Sequence, residues 1–206
     1  MKLNTDGSSV GSTSVASCGG VARDDHGGWV AGFSRRIGLT NSFVAELWGL
    51  RDGLLMCWNL NIHSLIVELD AKAIVDVLGK SQYVNNVISL ILDDCRLLAS
   101  CFHHIRLQHY YRQANWCAGS LARLSASQDL DFILYNSPPM DIVNAFENDL
   151  NGIYCNRLCP KSLVVSYFVL MNRLLSKKKF KQVELIKAQS SRAYPSGTVG
   201  NSRGSP

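Results

Sequence analysis

The chain has 206 residues, 47% of them hydrophobic and 18% charged, which excludes a disordered, collagen-like or coiled-coil chain and suits one domain, or one domain with a tail. Its formal net charge of +5 invites a nucleic-acid partner, but the charge is unevenly placed. Residues 1–127 carry a net +1, residues 128–160 a net −4 and residues 161–206 a net +8.

The start of the chain reads as a strand that ends at the turn cluster Asp6-Gly7-Ser8-Ser9, followed by a Gly/Ser/Thr-rich loop over 7–14. Cys18 to Arg23 reads as a short strand, Asp24-Asp25-His26-Gly27-Gly28 as a hairpin turn, and Trp29 to Arg36 as the returning strand. Over 43–58 the period changes. Phe43, Leu47, Leu50, Leu54 and Cys57 recur at helical steps, with Asn41 or Ser42 as the N-cap. Leu65 to Asp70 is rich in branched residues and predicts a strand. Ala71 to Leu78 and Asn86 to Cys101 predict helices, His104 to Tyr111 a strand and Ala114 to Ala126 a last helix. The order β-β-β-α-β-α-α-β-α implies an α/β fold with a mixed sheet and helices packed on it. After Ser127 the pattern dissolves: 128–160 reads as an irregular extension, 161–189 as a basic tail with one or two helices, and 190–206 as a disordered C-terminus.

The seven cysteines are odd in number and lack framework spacing, so reduced thiols in an intracellular protein are expected. Met1 to Asp6 offers no apolar signal-peptide core. The apolar stretch Leu163 to Leu175 is interrupted by Ser166, Asn172 and Arg173 and falls short of the roughly 20 residues of a membrane span, so no stable membrane insertion is expected. The run Lys177 to Lys181 reads first as a solvated helix end and second as a nuclear-import or nucleic-acid patch. Neither Cys101-Phe102-His103-His104 nor Cys155 with Cys159 has a second ligand pair at zinc-finger spacing.

Three carboxylates stand at strategic places. Asp6 lies at the end of the first strand, Glu46 in the first turn of the long helix, and Asp70 at the end of the fourth strand. Strand ends that meet a helix start form the usual crevice for a site in such sheets. Three converging acids repel unless a cation neutralises them, and oxygen-only ligands suit Mg²⁺ or Mn²⁺.

These residues sit within longer motifs: Asn4-Thr5-Asp6-Gly7-Ser8, Gly19-Gly20-Val21-Ala22-Arg23-Asp24, Ala45-Glu46-Leu47-Trp48-Gly49-Leu50, Val67-Glu68-Leu69-Asp70-Ala71-Lys72 and His109-Tyr110-Tyr111-Arg112-Gln113-Ala114-Asn115. In order and spacing they resemble the ribonuclease H domain, in the plant reverse-transcriptase-like form associated with non-LTR retrotransposons. The resemblance covers roughly residues 1–127. It implies an RNase H-like fold with a mixed five-stranded sheet, and an endonuclease that hydrolyses the RNA strand of RNA–DNA hybrids with two divalent ions at the scissile phosphate. It implies that Asp6 bridges both ions and that Glu46 and Asp70 complete the one on the leaving-group side. Gly7, Ser8, Ser42, Lys72 and Asn115 are the substrate-binding candidates it suggests, with the hybrid selected by its 2′-hydroxyls and groove shape. A monomer is expected.

One departure matters. The family's fourth acid follows Arg-x-x-Asn in the pattern Ala-Asp-x-Leu-Ala, and here that stretch is Ala118-Gly119-Ser120-Leu121-Ala122. Gly119 has no side chain to hold the ion that activates water. Asp129 lies nearly three helical turns on, and Glu68, two residues before Asp70, shares its strand face. The strand and last helix join closely through Arg112 to Asn115, with no flexible histidine loop, and His109 is read as packed or half-buried and not as catalytic. The runner-up is therefore a catalytically degenerate nucleic-acid-binding domain derived from a retrotransposon. The near-immediate start at the first catalytic strand suggests a domain cut from a longer ancestor.

Overall fold

The computed structural model describes residues 1–9, 15–79, 86–109, 115–152, 167–171, 181–188 and 197–198. Its elements run β1 (Lys2–Ser9), β2 (Val15–Arg23), β3 (Trp29–Leu39), α1 (Ser42–Asn59), β4 (Ser64–Leu69), α2 (Lys72–Leu78), α3 (Asn86–Ala99), β5 (His104–His109) and α4 (Trp116–Leu124). That is the expected order. Beyond it come β6 (Phe132–Tyr135), a 3₁₀ turn (Met140–Ile142), α5 (Val143–Leu150), β7 (Tyr167–Met171), a helix over 181–188 and β8 (Gly197–Thr198).

The sheet is mixed, with strand order β7-β5-β4-β1-β2-β3-β6-β8. The five strands read from the sequence form its centre, and it is wider than the five-stranded expectation because β7 adds to one edge and β6 and then β8 to the other. β1, β2 and β3 are antiparallel neighbours, whereas β4 runs parallel to β1 and β5 parallel to β4. β6 pairs antiparallel with β3, from Gly32↔Tyr135 to Arg35↔Phe132.

Two differences from the sequence reading concern element ends. β1 continues through Gly7, Ser8 and Ser9, which pair with Cys18, Ser17 and Ala16. Gly and Ser favour turns, but tertiary pairing overrides that preference when a partner strand is in register. Glu46 lies one turn deeper in α1 than its first turn, because the helix starts at Ser42 and Asn41 is the cap, its side chain accepting from the Val44 N–H at 3.0 Å. The hairpin turn stands as read: the Asp24 carboxylate accepts from His26 N–H and Gly28 N–H, and Gly27 takes φ +83°, a value that suits glycine.

Strand alternation assigns α1 and α4 to opposite faces. A Cβ added at Gly7 would fall 2.4 Å from the Glu46 backbone nitrogen, and one at Gly19 would fall 2.5 Å from that of Ala122. Glycine at these two positions lets each helix lie directly on the strands. The main core sits on the α1 face and includes Leu3, Leu47, Leu50, Leu54, Val67 and Leu92, joined by Val183 and Ile186 from the helix over 181–188. The charged residues of α1 that the apolar stripe leaves over are also buried: Asp52 pairs with Arg35 and Arg51, and Arg51 also with Asp94.

A second core lies on the α4 face, made of Val21, Cys117, Leu121, Tyr135 and Ile142, with Trp29 and Phe146 against it. Its last members come from the stretch read as an irregular extension, residues 128–160. The described part, 128–152, holds a strand, a 3₁₀ turn and a helix because its apolar residues cover α4 rather than repeat at a local period. Similarly, part of 161–189 is strand β7 and not helix. Its edge position against β5 (Ile105↔Leu170) is a non-local pairing. Lys177 to Phe180, Cys155, Cys159 and most of 190–206 lie outside the described residues. Cys18, Cys57, Cys95, Cys101 and Cys117 are free and buried. No described helix is long and apolar enough to cross a membrane.

Candidate active site

Pairing between β1 and β4 stops at Thr5↔Leu69. Asp6 and Asp70 are the next residues on the two strands, so both border the place where the strands part. Gly7 follows Asp6 and admits the backbone of α1 at Glu46. As a result, one carboxylate oxygen from each of Asp6, Glu46 and Asp70 lies within 4.8 Å of the others. Asp6 is 3% exposed and Glu46 7%, whereas Asp70 is half-buried at the mouth.

The electrostatics follow from that crowding. Burial, first, and the negative charges of Asp6 and Asp70, second, push the Glu46 carboxyl from 4.5 up to about 10. A side-chain hydrogen bond with Asp70 adds to the shift, and the Gly7 N–H, donating to Glu46, opposes it. Without a cation, Glu46 is therefore neutral at pH 7. Its Oε2 is buried with no hydrogen-bond partner among the described residues. Two carboxylates and a displaceable proton on a third, all hard oxygen donors, fit a small divalent cation.

Helix α4 closes the other side. Asn115 is 2% exposed, and its Nδ2 donates to the Thr5 carbonyl at 2.8 Å. Its Oδ1 and the Thr5 hydroxyl are both buried and unpartnered. Ser17 donates to the Ala122 carbonyl at 2.6 Å and holds α4 to β2. Gly119 stands directly over Asp6: a Cβ there would lie 2.7 Å from Asp6 Oδ2.

The remaining sequence candidates are placed less uniformly. Ser8 lies on β1 two residues beyond Asp6 and is half-buried. Ser42 opens α1 and is exposed. Lys72 is exposed at the start of α2 and pairs with Asp76 at 2.8 Å. Glu68 does not join the cluster. It is 3% exposed and held by Asn4, Gln108 and Lys2 at 3.0, 2.8 and 3.2 Å. The segment 110–114 lies outside the described residues. Sequence reading missed Arg123, whose Nη1 would be 3.6 Å from a Cβ at residue 119. The available signal was its spacing, one helical turn after Gly119.

Comparison with known proteins bears on the family and the fold. The model of a family described as reverse transcriptase-like matches residues 4–125. An Arabidopsis thaliana protein named for ribonuclease H is 34% identical over 152 residues, which cover 74% of this chain. The chain spans about a quarter, 24%, of that protein's length. Among solved structures, the N-terminal RNase H domain of a Mycobacterium tuberculosis protein is 28% identical, with TM-score 0.57, covering 61% of this chain and 93% of that one. LC11-RNase H1, crystallised with an RNA/DNA hybrid, is 20% identical with TM-score 0.55, covering 61% and 95%; that likeness speaks for the fold. By its matched family model and by its fold, the chain belongs to the reverse transcriptase-like family of ribonuclease H-like domains.

Proposed function

We propose that the chain acts on RNA–DNA hybrids as an RNase H-type endonuclease dependent on Mg²⁺ or Mn²⁺, with activity impaired at Gly119. The observation that carries this reading is the convergence of Asp6, Glu46 and Asp70 within 4.8 Å in a family of ribonuclease H-like domains. These three residues would hold the cation, which when bound supplies concentrated positive charge to a phosphate oxygen. The chain's own groups do the rest. Glu46 gives up its proton on binding and turns from a neutral acid into an anionic ligand. Burial of Asp6 and Glu46 keeps bulk water from screening the charge. Asn115 fixes β1 to the start of α4 through the Thr5 carbonyl. Gly7 serves the site by admitting α1 at Glu46, half-buried Ser8 offers a small side chain to the minor groove, and Ser42 and Lys72 lie exposed at the starts of α1 and α2 as backbone-phosphate contacts.

A second reading, a nucleic-acid-binding domain that no longer cleaves, is favoured by one observation: position 119 offers no ligand, and Asp6 Oδ2 fills the space beside it. Cleavage of a labelled RNA–DNA hybrid separates the two. In the endonuclease reading, wild type cuts the RNA strand with Mg²⁺ or Mn²⁺, Asp70→Asn falls by about a hundredfold or more, and EDTA abolishes cutting. Wild type as inactive as Asp70→Asn, with hybrid binding retained, leaves the binding reading.

A further inference from the structure

Arg123 places a positive charge beside Gly119, the position at which the family pattern has a metal-holding acid. It follows Gly119 by one turn of α4, so both lie on one helix face. The position of a Cβ on residue 119 is 2.7 Å from Asp6 Oδ2 and 3.6 Å from Arg123 Nη1. The guanidinium thus stands on the α4 side of Asp6, with the Cβ position of residue 119 near both groups. Arg123 is exposed, and its Nη2 donates to Ser120 Oγ at 3.1 Å. No ion pair among the described residues engages it.

The charge balance gives this placement meaning. One divalent cation does not neutralise three ionised carboxylates, and an approaching phosphate adds another negative charge. Residues 1–152 as a whole hold 11 basic against 15 acidic side chains, so the surrounding protein does not make up the difference. Where a second cation has lost its ligand, a fixed positive group at the same spot meets the same electrostatic need. A guanidinium suits it, since it stays charged at all working pH values and matches phosphate oxygens with two parallel N–H donors.

We propose that Arg123 binds a phosphate of the nucleic acid at the α4 side of the acidic cluster, in place of a second cation. The inference rests on the hybrid reading above, and it makes this a site of one cation and one guanidinium. Arg123 has a positional preference for the backbone and none for base sequence, because phosphates carry no sequence information.

The test is the salt dependence of binding, measured by fluorescence anisotropy of a labelled RNA–DNA hybrid with the full chain in EDTA, which prevents cutting. Each phosphate contact contributes about 0.7–0.9 to the slope of log K against log salt. Arg123→Ala is expected to weaken binding about tenfold at fixed salt and to reduce that slope by about one. Arg123→Lys, which keeps the charge without the fork, should keep the slope and lose only a few-fold in affinity. A merely structural role would lower affinity without moving the slope. Should Arg123→Ala melt early, Arg123→Gln carries the same expectation. Wild-type binding with an unchanged slope and Kd in the neutral variants overturns the role of Arg123 alone. Wild type with no more affinity for hybrid than for duplex DNA overturns the hybrid reading, and the proposal with it.

Discussion

At the scale of single residues, the site depends on what is missing as much as on what is present. Gly7 brings the backbone of Glu46 against β1, and Gly119 leaves room for the Asp6 carboxylate. The two glycines differ in what would yield. At Gly7 a Cβ meets backbone atoms at 2.4–2.9 Å, whereas at Gly119 it meets only side-chain ends, Asp6 Oδ2 at 2.7 Å and Arg123 Nη1 at 3.6 Å. Gly119→Ala should therefore fold, and alanine favours a helix over glycine by about 1 kcal/mol. It should also displace the Asp6 carboxylate. The expected outcome is a split: thermal stability unchanged or raised, and Mg²⁺ affinity, measured by calorimetry, reduced several-fold. Unchanged affinity would mean that Asp6 is not a ligand in its present orientation. The three acids were legible in the sequence because each falls at or near an element end within a recognisable motif. Their approach to 4.8 Å was not, since it depends on β4 lying beside β1. Nor was the contact of Gly119 with Asp6, which joins residues far apart in the chain.

At the scale of elements, α4 is the part of the site that the rest of the chain must hold in place. Asn115 does not cap it with its side chain. The cap comes from Asp149 near the end of α5, which accepts from Trp116 N–H and Cys117 N–H at 3.3 and 2.9 Å. The same carboxylate pairs with Arg23 on β2 at 2.8 Å, with both side chains under a tenth exposed. Its charge also suits the positive end of the helix. Phe146, on α5, meets Trp29 edge-on at 5.5 Å and underlies the Arg23 guanidinium. Removing one partner of such a buried pair costs about 3–5 kcal/mol. Asp149→Ala should accordingly lower the unfolding free energy by about 3 kcal/mol or more in urea titrations. A loss below about 1 kcal/mol would show that α5 is not part of the cooperative unit. The sequence order of elements through α4 was readable from hydrophobic period and turn residues. The role of 128–152 was not, because its apolar residues answer to α4 and β3 rather than to a local repeat. The C-terminal end of β1 runs past the expected turn for a related reason: Gly7, Ser8 and Ser9 carry turn chemistry, yet pairing with β2 decides their conformation.

For the whole molecule, the net charge of +5 is a poor guide to the charge around the acidic cluster. The excess lies in residues 161–206, while residues 1–127, which build the acidic cluster, carry a net +1. Binding of a cation at Asp6, Glu46 and Asp70 is measurable on the whole chain through the protonation of Glu46. Its carboxyl, raised from 4.5 to about 10, favours the fold fully below about pH 4.5. That contribution declines as pH rises through the window and is lost above about 10. A divalent ion reverses the sign, because it binds the ionised form and competes with the proton. The direct measurement is thermal unfolding of the full chain across pH 6–9, in EDTA and in Mg²⁺, for wild type and Glu46→Gln. The account predicts a Mg²⁺-induced rise in Tm that grows with pH in wild type and is absent in Glu46→Gln, which in EDTA also gains on wild type as pH rises. No Mg²⁺ effect on wild type at any pH, or an equal effect on both proteins, would contradict it.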